Sequence, residues 1–155
     1  MVHDFKKFPE LTNKQLESMF MESPHKQITT DFMANVVKVT DGDTIRLKTD
    51  FRDFTFPLRL ANIDAPEMNN GGEKARDWLI NEIEGKNIMV IINKDNRVGK
   101  YGRLIGEVLF NGLNMGDTEK RLGLVVEFGK KNEGIIRKIP ESVAYFNKSI
   151  KGVWT

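Results

Sequence analysis

The sequence predicts a mainly β domain with helices, an α+β chain built on a five-stranded barrel with about three helices. Three observations lead there. Apolar runs of strand length recur between residues 32 and 110, Asp-Gly and Asn-Gly turn signals punctuate them, and one clear helical stripe is embedded among them. A chain of 155 residues has room for one such domain with a modest core.

The elements follow in order. Residues 1–31 read as an N-terminal arm with no functional account, packed ahead of a domain at 32–155. Within the arm, LTNKQLESMF fits a short helix capped by Thr12 or Asn13. Residues 32–48 fit a β-hairpin. Val37 and Val39 alternate with Val36 and Lys38, Asp41-Gly42 makes the turn with glycine accepting positive φ, and Ile45 and Leu47 alternate with Thr44 and Arg46. Asp43 follows that turn. FTFPLRL is the next strand, with Phe54, Phe56, Leu58 and Leu60 on one face and Arg59 on the other. Pro57 removes a ladder donor and predicts an edge or a bulge.

Residues 73–84 form the helix, with Ala75, Trp78, Leu79 and Ile83 in one stripe and Gly85 as its stop. Strands follow at 87–92 and 103–110, the second opened by Arg103 and ended by Asn111-Gly112. Residues 115–122 fit a short helix stopped by Gly123, and ESVAYFNKSI a last helix with Pro140 near its first turn. There are no repeats or low-complexity segments. A small closed barrel with these helices points to the OB-fold.

Composition excludes several classes. Apolar residues at 39% with charged residues at 30% fit a folded soluble chain rather than a disordered one. No run approaches the roughly 20 apolar residues of a membrane span. MVHDFKKFPELTNKQLESMF has no apolar signal-peptide core, so the expectation is an intracellular or already processed chain. The absence of cysteine excludes disulfides and thiolate ligands. The net charge of +2 argues little for nucleic acid, although Lys120–Thr155 is locally basic. His3 and His25 fall in no motif.

The chemistry gathers in VVKVTDGDTIRLKTDFRDFTFPLRLANIDAPE. Asp43 and Asp64 lie at neighbouring strand ends, where two carboxylates can supply part of the oxygen shell of a hard cation. Glu67 follows three residues later, as a general base for water beside a metal does. Arg59 and Arg103 offer planar guanidinium groups, which grip phosphate through paired hydrogen bonds. Taken singly, the acids read as turn or loop residues and the arginines as surface residues.

Their order is more specific. VTDGDTIRL, LRLANIDAPE and KYGR, followed by NG, RLGL and a terminal KGVW, resemble the motifs of the staphylococcal nuclease (thermonuclease) family over about residues 34–154. The resemblance implies an OB-fold barrel and a monomeric Ca²⁺-dependent endonuclease that hydrolyses phosphodiester bonds of DNA and/or RNA and leaves 3′-phosphate ends. It implies that Asp43, Asp64 and the backbone carbonyl of Ala65 bind Ca²⁺, and that Glu67 handles the attacking water. It implies that Arg59 and Arg103 clamp the scissile phosphate, with Lys100 and Tyr101 near a terminal phosphate of bound nucleotide.

The chain departs from the family pattern in three places. Ala65 stands where the staphylococcal enzyme has threonine, MNNGG is shorter than the corresponding loop, and GLVVEFGKKNEG lacks the base-stacking tyrosines, with Phe128 as the substitute. Water deprotonation beside Ca²⁺ predicts an alkaline pH preference. The alternative is a non-catalytic nucleic-acid- or protein-binding OB-fold module, since fold does not fix function. That alternative predicts gaps at metal or base positions, and Asp43, Asp64, Glu67, Arg59 and Arg103 are all present.

Overall fold

The computed structural model describes residues 3–99 and 102–129. Lys100, Tyr101 and the expected helix over ESVAYFNKSI lie outside the described residues. The chain enters through α1 (Asn13–Met19), where Thr12 accepts from the amide of Gln15 and Gln15 returns a bond to Thr12, a reciprocal cap.

Five strands then build a closed barrel. β1 (Phe32–Asp41) and β2 (Thr44–Lys48) form an antiparallel hairpin, and β3 (Phe56–Leu60) adds antiparallel to β2. After the two-residue β4 (Ile63–Asp64) and α2 (Gly72–Ile83), β5 (Asn87–Ile91) pairs with β1, and β6 (Leu104–Phe110) pairs with β5. Closure comes from a parallel ladder that sets Leu58, Leu60 and Arg59 of β3 against Leu104, Gly106 and Ile105 of β6. Pro57 precedes this ladder, on the stretch of β3 that has β2 alone beside it, so its missing N–H costs the closure nothing. The chain continues through β7 (Leu113–Asn114), α3 (Met115–Arg121) and β8 (Val126–Glu127), which pairs with β4. This is the expected α+β, OB-fold-like barrel, with three α-helices among the described residues.

The barrel interior is filled by Val36, Ile45, Leu47, Phe56, Leu58, Leu60, Val90, Leu104 and Val108, all buried. Each such side chain contributes about 1.5–3 kcal/mol relative to exposure. Ala75, Leu79 and Ile83 of α2 complete the core, as their stripe predicts, and Trp78 packs partly buried beside it. Among the described residues no helix is long and apolar enough to cross a membrane.

Four expectations need correction. Val37 does not share a face with Val39: Val37 is exposed, while Val36 and Val39 are buried. A register irregularity between Val36 and Lys38 inserts a residue and reverses the alternation. Asp43 sits within the hairpin turn rather than after it, because Asp41 pairs directly with Thr44. Gly42 does not have positive φ, unlike the Asn111-Gly112 turn with φ of 52° and 78°. Gly42 is needed for space: a Cβ there would lie 2.5 Å from the Cβ of Ala75 on α2 and 3.0 Å from that of Ala65. Finally, Arg103 precedes β6 instead of opening it.

Candidate active site

The site forms where the β1–β2 turn meets the end of β3. Thr44 pairs with Arg59 across the β2–β3 ladder, which fixes the turn acid beside the arginine. Asp43 is held by its neighbours: its amide donates to Asp41 Oδ1 at 3.0 Å, and its Oδ2 accepts from the amide of Ala65 at 2.9 Å. Asp64, on β4, accepts from the amide of Gly129 at 3.0 Å. The β4–β8 pairing, with Asp64 opposite Val126, sets the position of the second acid.

Arg59 joins them. Its Nη2 contacts Asp43 Oδ2 at 3.4 Å and also bonds Asp64 Oδ1, so both carboxylates share one nitrogen. Its Nη1 donates to the carbonyl of Leu60 at 3.0 Å. The other arginine arrives from the strand that closes the barrel beside β3: Arg103, just before β6, donates through Nη1 to Thr44 Oγ1 at 3.4 Å, and Thr44 donates to Asp43 Oδ1 at 3.0 Å. Arg103, Thr44, Asp43, Arg59 and Asp64 thus form one connected network. Arg59, Asp43 and Asp64 keep 14%, 14% and 18% of their side-chain surface open, enough for a ligand to reach them.

The electrostatics differ between the two turn acids. Burial would raise Asp43, but bonds from Asp41 and the Ala65 amide, with the charge of Arg59, outweigh it and hold the carboxyl below its usual range. Asp41 is pushed up to about 6 by burial, by its bond to Asp43 and by the Asp43 charge. Beneath them, Glu119 on α3 is fully buried, and neither carboxylate oxygen has a hydrogen-bond partner among the described residues. Burial first, and then the charges of Asp43 and Asp41, raise it well above its usual range.

Glu67 is on the exposed loop three residues beyond Asp64 and leads into a 3-10 turn at Met68–Asn70. Its carbonyl accepts from the amides of Asn70 and Gly72, which fixes its backbone. Ala65 is buried, and its amide is the group seen bonding Asp43. The ring of the exposed Phe128 lies 5.3 Å from the guanidinium carbon of Arg59, beside the arginine rather than apart from it.

Among the described residues there is no group of three or more histidine, aspartate or glutamate side chains placed to hold a metal ion. Asp43 and Asp64 bring carboxylate oxygens to one nitrogen of Arg59, and a cation held by them would complete its shell with further oxygens such as carbonyls and water. Sequence reasoning missed Thr44 as the bridge between Arg103 and Asp43, although the DGDT motif contains it. It also missed Glu119, which carries no local signal, because its burial comes from α3 packing.

Comparison with known proteins identifies the family. The family profile described as "Staphylococcal nuclease homologue" matches residues 57–155. The match begins within β3, later than the motifs alone suggest, and the Asp43 turn lies ahead of it. An uncharacterized protein of Bacillus anthracis is 24% identical over 77% of this chain and 59% of its own length. Staphylococcal-like nuclease CAN1 of Arabidopsis thaliana is 33% identical over 50% of this chain and 24% of its own length. Micrococcal nuclease of Shigella flexneri is 37% identical over 50% of this chain and 42% of its own length. The chain therefore spans between 24% and 59% of the length of these relatives. With the profile covering more than half of the chain, including Arg59, Asp64, Glu67 and Arg103, this protein belongs to the staphylococcal nuclease homologue family.

Proposed function

We propose that the chain is a Ca²⁺-dependent nuclease that hydrolyses phosphodiester bonds of DNA and RNA and leaves 3′-phosphate ends. The observation that carries this reading is the connected network of two arginines and two carboxylates, part open to solvent. The relatives named as nucleases support it.

The donor set fits a hard divalent cation. Asp43 and Asp64 offer carboxylate oxygens and converge on one nitrogen of Arg59. Asp43, Asp64 and the carbonyl of Ala65 would hold Ca²⁺, which when bound supplies Lewis-acid stabilisation of charge on the phosphate oxygens.

The protein's own residues do the rest. Arg59 and Arg103 bind non-bridging oxygens of the scissile phosphate and stabilise the charge that grows there. In this arrangement Arg59 would turn from Asp43 and Asp64 to the phosphate, leaving each carboxylate held by its backbone amide. Glu67 accepts a proton from the attacking water, whose oxygen bonds to phosphorus. The P–O5′ bond breaks, the 5′-oxygen takes a proton from solvent water and leaves as a hydroxyl, Glu67 returns its proton to solvent, and the phosphate stays on the 3′ side. Phe128, next to Arg59, offers a base a stacking surface.

Incubation of fluorescent single-stranded DNA with the protein tests the reading. Cleavage with Ca²⁺ that EGTA abolishes, with 3′-phosphate ends on the products, is the expected result. Tight binding of the oligonucleotide with no cleavage would replace the reading by that of a binding module.

A further inference from the structure

The N-terminal arm grips the loop that delivers Arg103. That loop runs from Arg97 to Ile105 and is closed at its base by the amide of Ile105 donating to the Arg97 carbonyl at 2.7 Å. It is closed again at its neck by the amide of Gly99 donating to the Arg103 carbonyl at 2.8 Å. The arm holds both sides of it. On the incoming side, Arg97 is buried and donates to the carbonyls of Ile28 and Leu11 at 2.8 and 2.9 Å, and pairs with Glu10 at 3.3 Å. On the outgoing side, Phe8 covers Gly102, immediately before Arg103. A Cβ on Gly102 would lie 2.5 Å from Phe8 Cδ1, and its φ of +72° already excludes most side chains.

The gripping segment is itself fixed. Residues 4–8 form a turn in which the amide of Phe8 donates to the Asp4 carbonyl at 2.9 Å, and His3 bonds the Phe8 carbonyl at 2.8 Å. The Pro9 carbonyl accepts from Gln27 at 2.8 Å, the Leu11 amide donates to Gln27 at 2.7 Å, and Glu10 accepts from the Ile28 amide at 3.0 Å. Glu10 also pairs with the buried Arg52 on the β2–β3 connection.

We propose that Phe8 and Glu10 are positioning residues for Arg103: the arm sets the loop that aims this arginine at the site. The proposal rests on the reading of Arg103 as a phosphate clamp. It gives a role to a segment that lies ahead of the family match at residue 57.

Phe8→Ala tests it, because it removes the ring from Gly102 while leaving the buried Glu10 pairs intact. In the full chain with Ca²⁺, kcat on single-stranded DNA falls about tenfold or more, while KM changes less than about twofold. Phe8→Tyr, which keeps a ring over Gly102, restores the rate. In an Arg103→Ala background, adding Phe8→Ala costs less than about twofold, because the effect is already spent. Independent of activity, the amides of Gly99, Gly102 and Ile105 exchange hydrogen faster in Phe8→Ala, while the β1–β2 amides do not.

A folded Phe8→Ala protein with wild-type kcat overturns the proposal, as does an equal fractional loss with and without Arg103. If wild type itself cleaves nothing, the nuclease reading falls. The exchange data then decide the arm: unchanged exchange at Gly99, Gly102 and Ile105 overturns it, and local acceleration sustains its hold on the loop.

Discussion

Two clusters of arginine and carboxylate stand at opposite ends of the β2–β3 hairpin, and they are built for opposite ends. At one end, Arg59, Asp43 and Asp64 keep 14%, 14% and 18% of their side chains open. At the other, under the N-terminal arm, Arg52, Arg97 and Glu10 are closed to 0%, 2% and 2%. Both use guanidinium to neutralise carboxylate. In the open cluster solvent reaches the partners, and under the proposed function a cation and a phosphate would take their places. In the closed cluster no solvent or ligand can take a partner's place, so the pairs stay made as long as the fold does. Arg52 is held there also by the faces of Phe54 and Phe56, at 5.1 and 4.6 Å, which compensates in part for an Nε and Nη1 that have no hydrogen-bond partner among the described residues.

The largest effect separates the two clusters directly. Glu10→Ala leaves two buried guanidinium groups short of their counter-charge and should cost about 3–5 kcal/mol, read from urea denaturation midpoints. Asp64→Asn in the open cluster should cost less than about 1 kcal/mol in the same measurement. Equal losses would erase the distinction between a structural and an exchangeable cluster.

Next comes Arg103→Ala. Loss of one charge-stabilising donor should lower kcat by about 10²–10³-fold, with the melting temperature unchanged. A variant that loses stability in step with activity would make Arg103 a structural residue like Arg97.

Gly42→Ala sharpens the geometry of the turn that carries Asp43. The added methyl meets Ala75 and Ala65, and overpacking of this kind costs about 1–3 kcal/mol. If positive φ were the reason for glycine here, Asn would substitute as well as it does in a left-handed turn. The close approach of α2 predicts that Gly42→Asn is worse than Gly42→Ala.

The smallest effect lies beneath the open cluster. Glu119 is raised well above its ordinary 4.5 by burial and by the charges of Asp43 and Asp41, so the folded chain keeps a proton that the unfolded chain releases. Its contribution to stability is present below pH 4.5 and is lost progressively as pH rises. Glu119→Gln should therefore leave the melting temperature unchanged near pH 4 and raise it increasingly toward pH 8, by roughly 2–4 °C for each kcal/mol relieved. Calorimetry in chelator across that range checks the sign, and a gain that shrinks with pH would refute it.

The contrast between the clusters also explains what could be read from the residues. The open site was legible because its acids and arginines sit at strand ends in short motifs, and because a hairpin turn and one ladder are enough to bring Asp43 to Arg59. The strands, α2 and the capped α1 follow from alternation, stripe and cap chemistry, all local. The closed cluster has no such signature. Glu10 reaches Arg52 and Arg97 across 42 and 87 residues of chain, so only the folded arm reveals the pairing. The same holds for Phe8 on Gly102, and for Glu119 under Asp43. Val37 was misjudged because a bulge leaves no mark on composition, and Gly42 because a crowded glycine and a left-handed one look alike in a sequence.

The proposed function makes the open cluster a Ca²⁺-dependent phosphodiesterase site in which Glu67, three residues beyond Asp64, accepts the proton of the attacking water. The most direct measurement is the cleavage rate of single-stranded DNA at saturating Ca²⁺ for wild type against Glu67→Gln. The prediction is a wild-type rate abolished by EGTA and reduced by about 10²-fold or more in Glu67→Gln, with both proteins equally folded. Cleavage that persists undiminished in Glu67→Gln, or that is indifferent to Ca²⁺, would contradict it.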